Sequence, residues 1–415
     1  MESLIKKIVV DDKKYMFDGN TLELFKVNSD KELNDYLSSK KVTVNQEKFE
    51  KELSKIVLNM SNACNLNCRY CYADGGNYGR KNELMTLETL QKIIVSLKTK
   101  NINKIDVVSF FGGEPLLNFD LIEYGLKHFS TEFSVNNFEM VTNGQLLTES
   151  MVDVLKKYNV SLSISCDGPE NITDLLRGKG VFSKVKNAIN LCKQKNYDNI
   201  MISATFTHQH EKMGYTREDI STFFREKGLR MTLTKVISKD SYLEVNNGIT
   251  EEEARNDMRQ SLTCIDKVDV VGKVNPYMYS LLLSLIYKAR TIGFCDDLDI
   301  SRTISFDYNG DKYNCFRLWN DNKYRVGENE KTNVYLKEAN IKETQNNCKY
   351  CWCKYICKVC IVSILQKENS FPFKDEKCAY REMYRIALEE LIKYIQKGSL
   401  QNLINNFVEY FVIYK

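Results

Sequence analysis

The chain has 415 residues, with 59 Lys and Arg against 55 Asp and Glu and a formal net charge of +4. A chain of this length has ample material for about two to three domains and a large core. The near balance of charge excludes the strongly basic surface of a nucleic-acid-binding protein.

The sequence also lacks recognisable signals for secretion or membrane insertion. Its opening residues do not contain the unbroken apolar stretch of a signal peptide. The most apolar later run, residues 277–290, is interrupted by Lys288 and is too short to span a bilayer. We therefore expect a cytoplasmic protein without membrane contact. In that reducing compartment, the 14 cysteines indicate metal binding or redox chemistry and not a disulfide framework.

Residues 1–55 are predicted to form a small N-terminal element. Residues 6–28 have the pattern of a β-hairpin that turns at Asp18-Gly19, and residues 29–39 have that of a short helix. The sequence therefore predicts a hairpin-plus-helix element before the first large domain.

From residue 56 to residue 240, predicted strands alternate with predicted helices. Short apolar runs mark the strands, at 55–60, 105–111, 138–144, 160–168, 200–206 and 230–237. Apolar residues at helical spacing mark the helices, at 87–97, 119–129, 151–158, 182–195 and 217–227. This α/β alternation predicts a partial (β/α)6 TIM-like barrel whose functional site lies at the carboxyl ends of the strands.

The remainder is predicted to hold a cysteine-rich domain between helical segments. Residues 241–294 have the pattern of a helical bridge, and residues 381–415 that of C-terminal helices. Residues 295–380 contain Cys295, Cys315 and six further cysteines from 348 to 378. Such clustering is typical of a metal-binding domain.

Several isolated residues of reactive type are interpreted as structural. Cys192 shares a helical stripe with Val185 and is predicted to be a small core residue. His128 is predicted to face water on its helix. His208 and His210 follow the fifth barrel strand, where a base or a metal pair is conceivable, but we interpret them as solvated loop residues.

Three cysteines, Cys64, Cys68 and Cys71, lie in the loop after the first barrel strand. Three thiolates on one tight loop suit a cubane iron–sulfur cluster with three irons anchored and one iron open to another ligand. The spacing alone leaves an incomplete zinc site and unligated core cysteines as alternatives. The position favours the cluster, because barrel enzymes carry out their chemistry at this end of the strands.

Four motifs follow one another along the barrel: Cys64-x-x-x-Cys68-x-Tyr70-Cys71, Gly112-Gly113-Glu114-Pro115, Thr142-Asn143-Gly144 and Ser165-Cys166-Asp167-Gly168-Pro169. Together with Arg177, they resemble the motifs of the radical S-adenosylmethionine (SAM) enzymes. The resemblance covers residues 56–237. It implies that SAM chelates the open iron and that reductive cleavage of SAM yields a 5′-deoxyadenosyl radical.

The resemblance also implies a role for each motif residue. The cysteines of the loop would be the catalytic cluster ligands. The implied SAM contacts are Tyr70 beside the adenine, Gly112, Gly113 and Glu114 at the methionine amino group, Asn143 in the neighbouring motif, Ser165 and Asp167 near the ribose, and Arg177 at the methionine carboxylate.

The later cysteines resemble the SPASM extension, which binds auxiliary clusters in peptide-modifying radical SAM enzymes. The resemblance implies one cluster on Cys348, Cys351, Cys357 and Cys378 and another on Cys295, Cys315 and Cys360. Two features depart from the family pattern: Cys360 follows Cys357 after two residues instead of three, and Cys353 is additional. Either Cys353 closes the second cluster, or that cluster keeps an iron open to a substrate thiolate. Zinc is the alternative for this segment, because CxxC pairs suit it.

By this resemblance the protein is expected to be a radical SAM peptide maturase with three [4Fe-4S] clusters. It would install a thioether between a Cys sulfur and a carbon of a ribosomally synthesised, Cys-containing precursor peptide, like maturases of sactipeptide or ranthipeptide type. A low-potential donor such as flavodoxin or ferredoxin would supply electrons.

Other functions stay open at this point. Carbon–carbon cross-linking and oxidation of a Ser or Cys side chain, as in sulfatase maturases, are alternative reactions. A zinc-stabilised binding protein without catalysis is the alternative of a different class. Residues 1–55 resemble part of a leader-peptide recognition element, which adds a peptide strand to a sheet edge. A hairpin that caps the barrel is the other interpretation of this segment.

Overall fold

The computed structural model describes residues 4–29, 31–32, 35, 52–236, 240, 242–243, 250–269, 274–288, 290, 302–327, 342, 346–358, 378–398 and 400–411. Cys295, Cys360 and most of the helix predicted at 29–39 lie outside these residues. Within the described part, no helix combines the length and the apolar character that a membrane crossing requires.

The N-terminal element is an antiparallel sheet of β1 (Ile5–Val10), β2 (Lys13–Asp18) and β3 (Glu23–Val27). The predicted turn at Asp18-Gly19 is present, but it joins the second and third strands. An additional turn at Asp11 and Asp12 divides the segment that the sequence pattern presents as one strand. Both residues have positive φ, 47° and 58°, as the tightest hairpin turns require. Neither is a glycine, so the usual sequence signal of this turn is missing.

The predicted barrel is confirmed as a run of parallel strands. They are β4 (Glu52–Ser61), β5 (Lys104–Gly112), β6 (Ser134–Thr142), β7 (Ser161–Ser165), β8 (Ile200–Phe206) and β9 (Met231–Lys235). Each strand pairs with the next one along the chain. Consequently, the carboxyl ends of all six strands lie along one edge.

Helices connect these strands: α1 (Leu87–Thr99), α2 (Phe119–Glu132), α3 (Glu149–Lys157), α4 (Glu170–Arg177), α5 (Val181–Gln194), α6 (His208–Lys212) and α7 (Arg217–Arg225). The short helices α4 and α6 were not predicted, because neither is long enough to show a helical period. Cys192 is fully buried on α5 beside Val185, which confirms its interpretation as a core residue.

The cysteine-rich segment contributes two strands to the same sheet. The strand β10 (Thr303–Phe306) pairs in parallel with β4, and β11 (Lys312–Tyr313) pairs antiparallel with β10. Asp307 lies just after β10 and is fully buried. Its carboxylate forms an ion pair, at 2.9 Å, with Arg80, which lies at the far end of the cysteine loop. Short 3₁₀ turns at Phe316–Leu318 and Asn322–Tyr324 follow. Cys315 is therefore anchored directly on the barrel.

The rest of the described C-terminal half forms a second core. Its helices are α8 (Glu251–Asp266), α9 (Pro276–Tyr287), α10 (Asn346–Lys349), α11 (Ala379–Lys397) and α12 (Leu400–Asn406), followed by a π-helical turn at Phe407–Phe411. Phe17 of the N-terminal sheet packs edge-on against Trp352 in this core, with ring centroids 5.8 Å apart. Lys288 donates to the carbonyl of Leu22 at 2.7 Å. The face of the N-terminal sheet that carries Phe17 is therefore buried in the second core.

Candidate active site

The cysteine loop begins where β4 ends and is held by two asparagine side chains that lie just after β4 and after β5. Asn62 is fully buried, and its amide nitrogen donates to the carbonyls of Asn77 (2.9 Å) and Lys81 (2.7 Å). Asn118 likewise donates to the carbonyl of Met60 at 2.8 Å and to that of Met85, just before α1, at 2.9 Å. These bonds close the loop across its base.

The thiols of the loop are half-buried, and none of the described cysteines forms a disulfide. Burial raises the pKa of Cys64 and raises the pKa of Cys68 to about 11, and repulsion from the neighbouring thiols adds to both shifts. The Cys64 and Cys68 thiols are therefore protonated at neutral pH unless a cation binds them, since coordination to a metal deprotonates a thiol.

This donor set suits a cluster better than a single ion. Among the residues that the structure describes, no group of three His, Cys, Asp or Glu side chains is placed to hold one metal ion. The three thiols nevertheless interact electrostatically with one another. They fit a group that is wider than one ion and takes three thiolates, as an iron–sulfur cluster does.

Two glycines bring the end of β5 against the backbone that leads into the cysteine loop. Gly112 has a φ of +138°, where a side chain would be strained. A Cβ on Gly113 would lie 2.7 Å from the carbonyl carbon of Ala63, closer than real Cβ atoms come to other atoms. The nitrogens of Gly113 and Glu114 donate to the carbonyls of Ser61 (2.7 Å) and Ala63 (2.8 Å). The glycine pair therefore positions the residue before Cys64.

Glu114 is a buried carboxylate with three protein donors. Its oxygens accept from the Thr142 hydroxyl (2.6 Å) and from the backbone nitrogens of Asn143 (2.8 Å) and Leu116 (3.0 Å). Burial raises the pKa of Glu114 to about 7, although these hydrogen bonds favour its ionised form. A carboxylate held in this way is ready to receive a cationic group of a ligand.

Asn143 follows β6 and joins the end of this strand to the cysteine loop. Its side-chain nitrogen donates to Asn65 Oδ1 at 2.8 Å and lies 3.8 Å from Cys64 Sγ. Because the backbone nitrogen of Asn143 also donates to Glu114, the ends of β5 and β6 and the cysteine loop form one connected polar site.

Asp167, after β7, is the centre of a second buried polar group. Arg177 donates to both carboxylate oxygens, from Nε at 2.8 Å and from Nη2 at 3.0 Å. The hydroxyl of Tyr70 donates to Oδ2 at 2.7 Å, and the backbone nitrogen of Thr205 donates to Oδ1 at 3.0 Å. Burial opposes the charge of Arg177, but the neighbouring Asp167 holds its pKa well above the usual value. The group ties the cysteine loop to β7, β8 and α4.

Residues 58–220 match the family model of the radical SAM superfamily. The chain therefore contains a radical SAM domain. The matched range includes the cysteine loop and both buried polar groups, and the family match supports SAM and an iron–sulfur cluster as the cofactors of the domain.

Known radical SAM proteins are similar over different parts of the chain. The radical SAM cyclopropyl synthase TigE of Paramaledivibacter caminithermalis is 30% identical over 236 residues, which cover 52% of this chain and 49% of the synthase. The chain thus spans about half the length of the first curated relatives that it matches. The cysteine-type anaerobic sulfatase-maturating enzyme of Clostridium perfringens is 25% identical over 382 residues, which cover 82% of this chain and 97% of the enzyme.

A solved radical SAM structure has the same fold over most of the chain. Native anSMEcpe with bound AdoMet and the Cp18Cys peptide superposes with a TM-score of 0.64 at 21% identity. The superposition covers 86% of this chain and 99% of that structure. The likeness extends beyond the radical SAM domain into the C-terminal half.

The structure brings most of the predicted SAM contacts to the carboxyl edge of the barrel. Glu114 and Asn143 share one polar group, and Tyr70, Asp167 and Arg177 share the other. Ser165 ends β7, paired with Ser203 of β8. Their contacts with SAM itself stay predictions.

His210 is a radical SAM domain residue whose environment was predicted wrongly. It is fully buried, stacks on Phe206 at 4.7 Å and accepts from the Thr207 backbone nitrogen at 3.1 Å through Nδ1. Its Nε2 therefore carries the proton and donates to the Asp167 carbonyl at 2.9 Å. Burial lowers its pKa, so it supports Asp167 as a neutral side chain. The short helix α6, which gave no periodic signal, places it there.

The other two histidines are partly exposed, with 31% of each side chain accessible, and each binds neighbours on its own helix. His128 stacks on Tyr124 with centroids 4.0 Å apart and binds Glu132 at 2.8 Å. His208 binds Glu211 at 3.0 Å on the first turn of α6. Neighbours three or four residues along a helix account for all of these contacts.

The described auxiliary cysteines lie in the second core, apart from Cys315. A series of tight turns carries Cys348, Cys351, Cys353 and Cys357, with backbone bonds from Cys351 to Cys348 (3.1 Å) and from Cys357 to Cys353 (2.9 Å). Cys378 precedes α11 and interacts electrostatically with Cys348 and Cys357. Buried Lys342 donates to the carbonyl of Cys357 at 2.6 Å.

Proposed function

We propose that this radical SAM enzyme modifies a ribosomally synthesised, Cys-containing peptide and forms a thioether between a Cys sulfur and a carbon. The observation that carries the proposal is the combination of a three-thiol loop at the barrel edge with a second group of thiols in the C-terminal half. A relative, the cysteine-type anaerobic sulfatase-maturating enzyme, matches over 82% of the chain, and a solved structure of similar fold holds a peptide.

The first part of the proposal concerns SAM. Bound at Cys64, Cys68 and Cys71, the cluster and SAM would supply a 5′-deoxyadenosyl radical by reductive cleavage. Glu114 would accept hydrogen bonds from the methionine amino group, because its buried carboxylate gains most from a cationic donor. Asp167 and Tyr70 would line the ribose and adenine end. Their mutual hydrogen bond keeps both side chains oriented before the ligand arrives.

The role that we propose for Arg177 requires a change in its contacts. In the structure both of its bonds to Asp167 are made, so binding the methionine carboxylate would use its remaining N–H donors. The guanidinium group also lies 5.4 Å from the ring centre of Tyr70. It therefore neutralises Asp167 while staying beside the same ligand site.

The second part of the proposal concerns the auxiliary sites. We assign Cys348, Cys351, Cys357 and Cys378 to one cluster and Cys315, with Cys295 and Cys360 outside the described residues, to the other. The thiol of Cys353 lies with Cys351 and hydrogen-bonds in that group. This placement supports an open iron on the cluster of Cys315, where a substrate thiolate would bind. A low-potential donor such as flavodoxin or ferredoxin would supply electrons.

Carbon–carbon bond formation is the second candidate. The observation in its favour is the 30% identity to a radical SAM cyclopropyl synthase over 236 residues. The two reactions share the radical step and differ in whether the peptide thiol is consumed.

The deciding experiment uses the anaerobically reconstituted enzyme with SAM, a reductant and the Cys-containing peptide encoded beside its gene. A thioether product loses two hydrogen atoms, and its cysteine no longer reacts with iodoacetamide. A carbon–carbon product has the same mass loss but keeps an alkylatable thiol. Formation of an aldehyde with loss of sulfur would instead indicate oxidation of the sulfatase-maturase type. An unchanged peptide, with SAM cleavage intact, would contradict the proposed substrate.

A further inference from the structure

Cys353, the cysteine that departs from the SPASM spacing, is nearly fully buried in the second core with 3% of its surface exposed. Its Sγ lies 3.4 Å from Sγ of Cys351. Trp352, the residue between the two cysteines in the sequence, packs its ring against Phe17. Tight turns on either side, closed by bonds from Lys354 to Cys351 (3.0 Å) and from Cys357 to Cys353, hold the two sulfurs in this position.

The sulfur–sulfur distance indicates which iron Cys353 can reach. With metal–sulfur bonds of about 2.3 Å in a tetrahedral site, two sulfurs on one metal ion are roughly 3.8 Å apart. Sulfurs on different irons of a cubane are farther apart, because the separation of the irons is added. A distance of 3.4 Å therefore places Cys353 within reach of the iron that Cys351 would bind. The Cys353 thiol also hydrogen-bonds to Cys357, a second proposed ligand of the same cluster, so it lies beside existing ligands and not at a corner of its own.

We propose that Cys353 is a reserve ligand for the iron held by Cys351 in the auxiliary cluster of Cys348, Cys351, Cys357 and Cys378. The inference rests on the proposed function, because it requires that cluster to exist. In the exchange, the Cys353 thiol loses its proton and its sulfur binds the iron. The Cys351 sulfur leaves the same iron and takes up a proton, and no electron is transferred. The site would keep its cluster when Cys351 is lost or chemically modified.

A structural cysteine is the contrasting interpretation, since the surroundings are apolar. Cys353 shares the second core with Trp352 and Ile356. Such a thiol would fill space and take no iron. The two roles differ in one respect: a filling residue cannot replace the function of Cys351, whereas a reserve ligand can.

The test compares Cys351→Ala with Cys351→Ala/Cys353→Ser, both as full chains reconstituted anaerobically. Iron per chain and the electron paramagnetic resonance spectrum of the reduced protein are measured. We expect Cys351→Ala to keep the iron of wild type with an altered auxiliary signal, and the double variant to lose one cluster. Serine is nearly isosteric with cysteine, so the second change perturbs packing little. Cys351→Ala/Cys192→Ser is the matched control, because Cys192 is equally buried but lies in the barrel, and it should keep the iron of Cys351→Ala.

Loss of one cluster from Cys351→Ala alone, to the same extent as from the double variant, would overturn the reserve ligand while leaving the proposed function intact. Wild-type protein that binds the iron of a single cluster would overturn the auxiliary clusters and the reserve ligand together. Cleavage of SAM, measured as 5′-deoxyadenosine in the same samples, reports separately on the barrel site. If the double variant does not fold, alkylation of Cys351→Ala decides: Cys353 should react with iodoacetamide only after iron is removed, and reaction before removal would overturn the proposal.

Discussion

In the barrel, the proposed SAM site is made from strand ends and the loops directly after them. In the second core, the cysteines that we assign to an auxiliary cluster lie on turns that pack against the N-terminal sheet, hundreds of residues away in the sequence. Residues 52–236 contain the whole SAM site together with most of the core beneath it. The second core instead combines Phe17 and Leu22 from the N-terminus with Trp352 and Leu388. The first site is thus local in sequence order, and the second depends on contacts between the two ends of the chain.

This difference has a practical consequence. A substitution in the barrel should affect SAM chemistry and leave the proposed auxiliary cluster of the second core in place. A substitution in the N-terminal sheet should disturb the proposed auxiliary cluster and leave SAM chemistry unchanged. The glycines suit this test, because Gly113 is enclosed by the cysteine loop and Gly19 by the auxiliary segment.

The largest effect is expected for the combined change of Cys64, Cys68 and Cys71 to Ala. We expect complete loss of SAM cleavage and loss of about one third of the iron, because one of three proposed clusters would be missing. The measurements are 5′-deoxyadenosine formation and iron per chain. Undiminished 5′-deoxyadenosine from this variant would contradict the assignment of the barrel site, and loss of all iron would contradict its independence from the second core.

Gly113→Val is expected to disturb the barrel site alone. A Cβ here would lie 2.7 Å from the carbonyl carbon of Ala63, so the backbone before Cys64 must shift. A displacement of catalytic groups by an ångström lowers rates on the order of 100-fold, and we expect SAM cleavage to fall by that factor. Gly327→Val is the control, because nothing lies within 4 Å of a Cβ at that position. Normal cleavage by Gly113→Val would show that the loop accommodates the side chain without moving the cysteines.

Gly19→Val is expected to disturb the second core and spare SAM cleavage. A Cβ at this position would lie 3.0 Å from the carbonyl carbon of Trp352. In the sequence, Trp352 stands between Cys351 and Cys353. We expect partial loss of auxiliary iron, with 5′-deoxyadenosine per remaining barrel cluster unchanged. Gly327→Val again serves as the control. If Gly19→Val lowered SAM cleavage and kept all iron, the separation of the two regions would be wrong.

The smallest effect concerns pH and Glu114. Burial raises its pKa to about 7 in the folded protein, above the ordinary value of 4.5. Its contribution to stability is therefore present at low pH and is lost as the pH rises through about 7. From about pH 5 to about pH 9, ligand-free wild type should lose roughly 3 kcal/mol more of its unfolding free energy than Glu114→Gln does.

Chemical denaturation of both proteins at several pH values measures this difference. Glu83→Gln, an exposed change in the same domain, should follow wild type. Parallel pH dependence of wild type and Glu114→Gln would mean that Glu114 is already ionised in the folded state at low pH, stabilised by its three donors.

Much of the barrel could be predicted from the sequence, because its signals are local. Apolar runs and helical periods marked the six parallel strands and the longer helices, and the order of motifs placed Glu114, Asn143 and Asp167 at one edge. Residues without periodic neighbours were missed: the helix α6 is five residues long, so nothing indicated that His210 is buried against Phe206. The two turns of the N-terminal sheet differ in the same way, since Asp18-Gly19 carries a turn signal and Asp11-Asp12 does not.

The sequence by itself predicted the type of chemistry, because motifs that resemble those of the radical SAM enzymes follow one another in order at successive strand ends. Tertiary structure alone decided how the remaining parts meet. It joined β10 to β4 and placed the N-terminal sheet on the second core. The physical reason is that these arrangements arise from burial of apolar surface between segments hundreds of residues apart, and this driving force has no direction that a local pattern records.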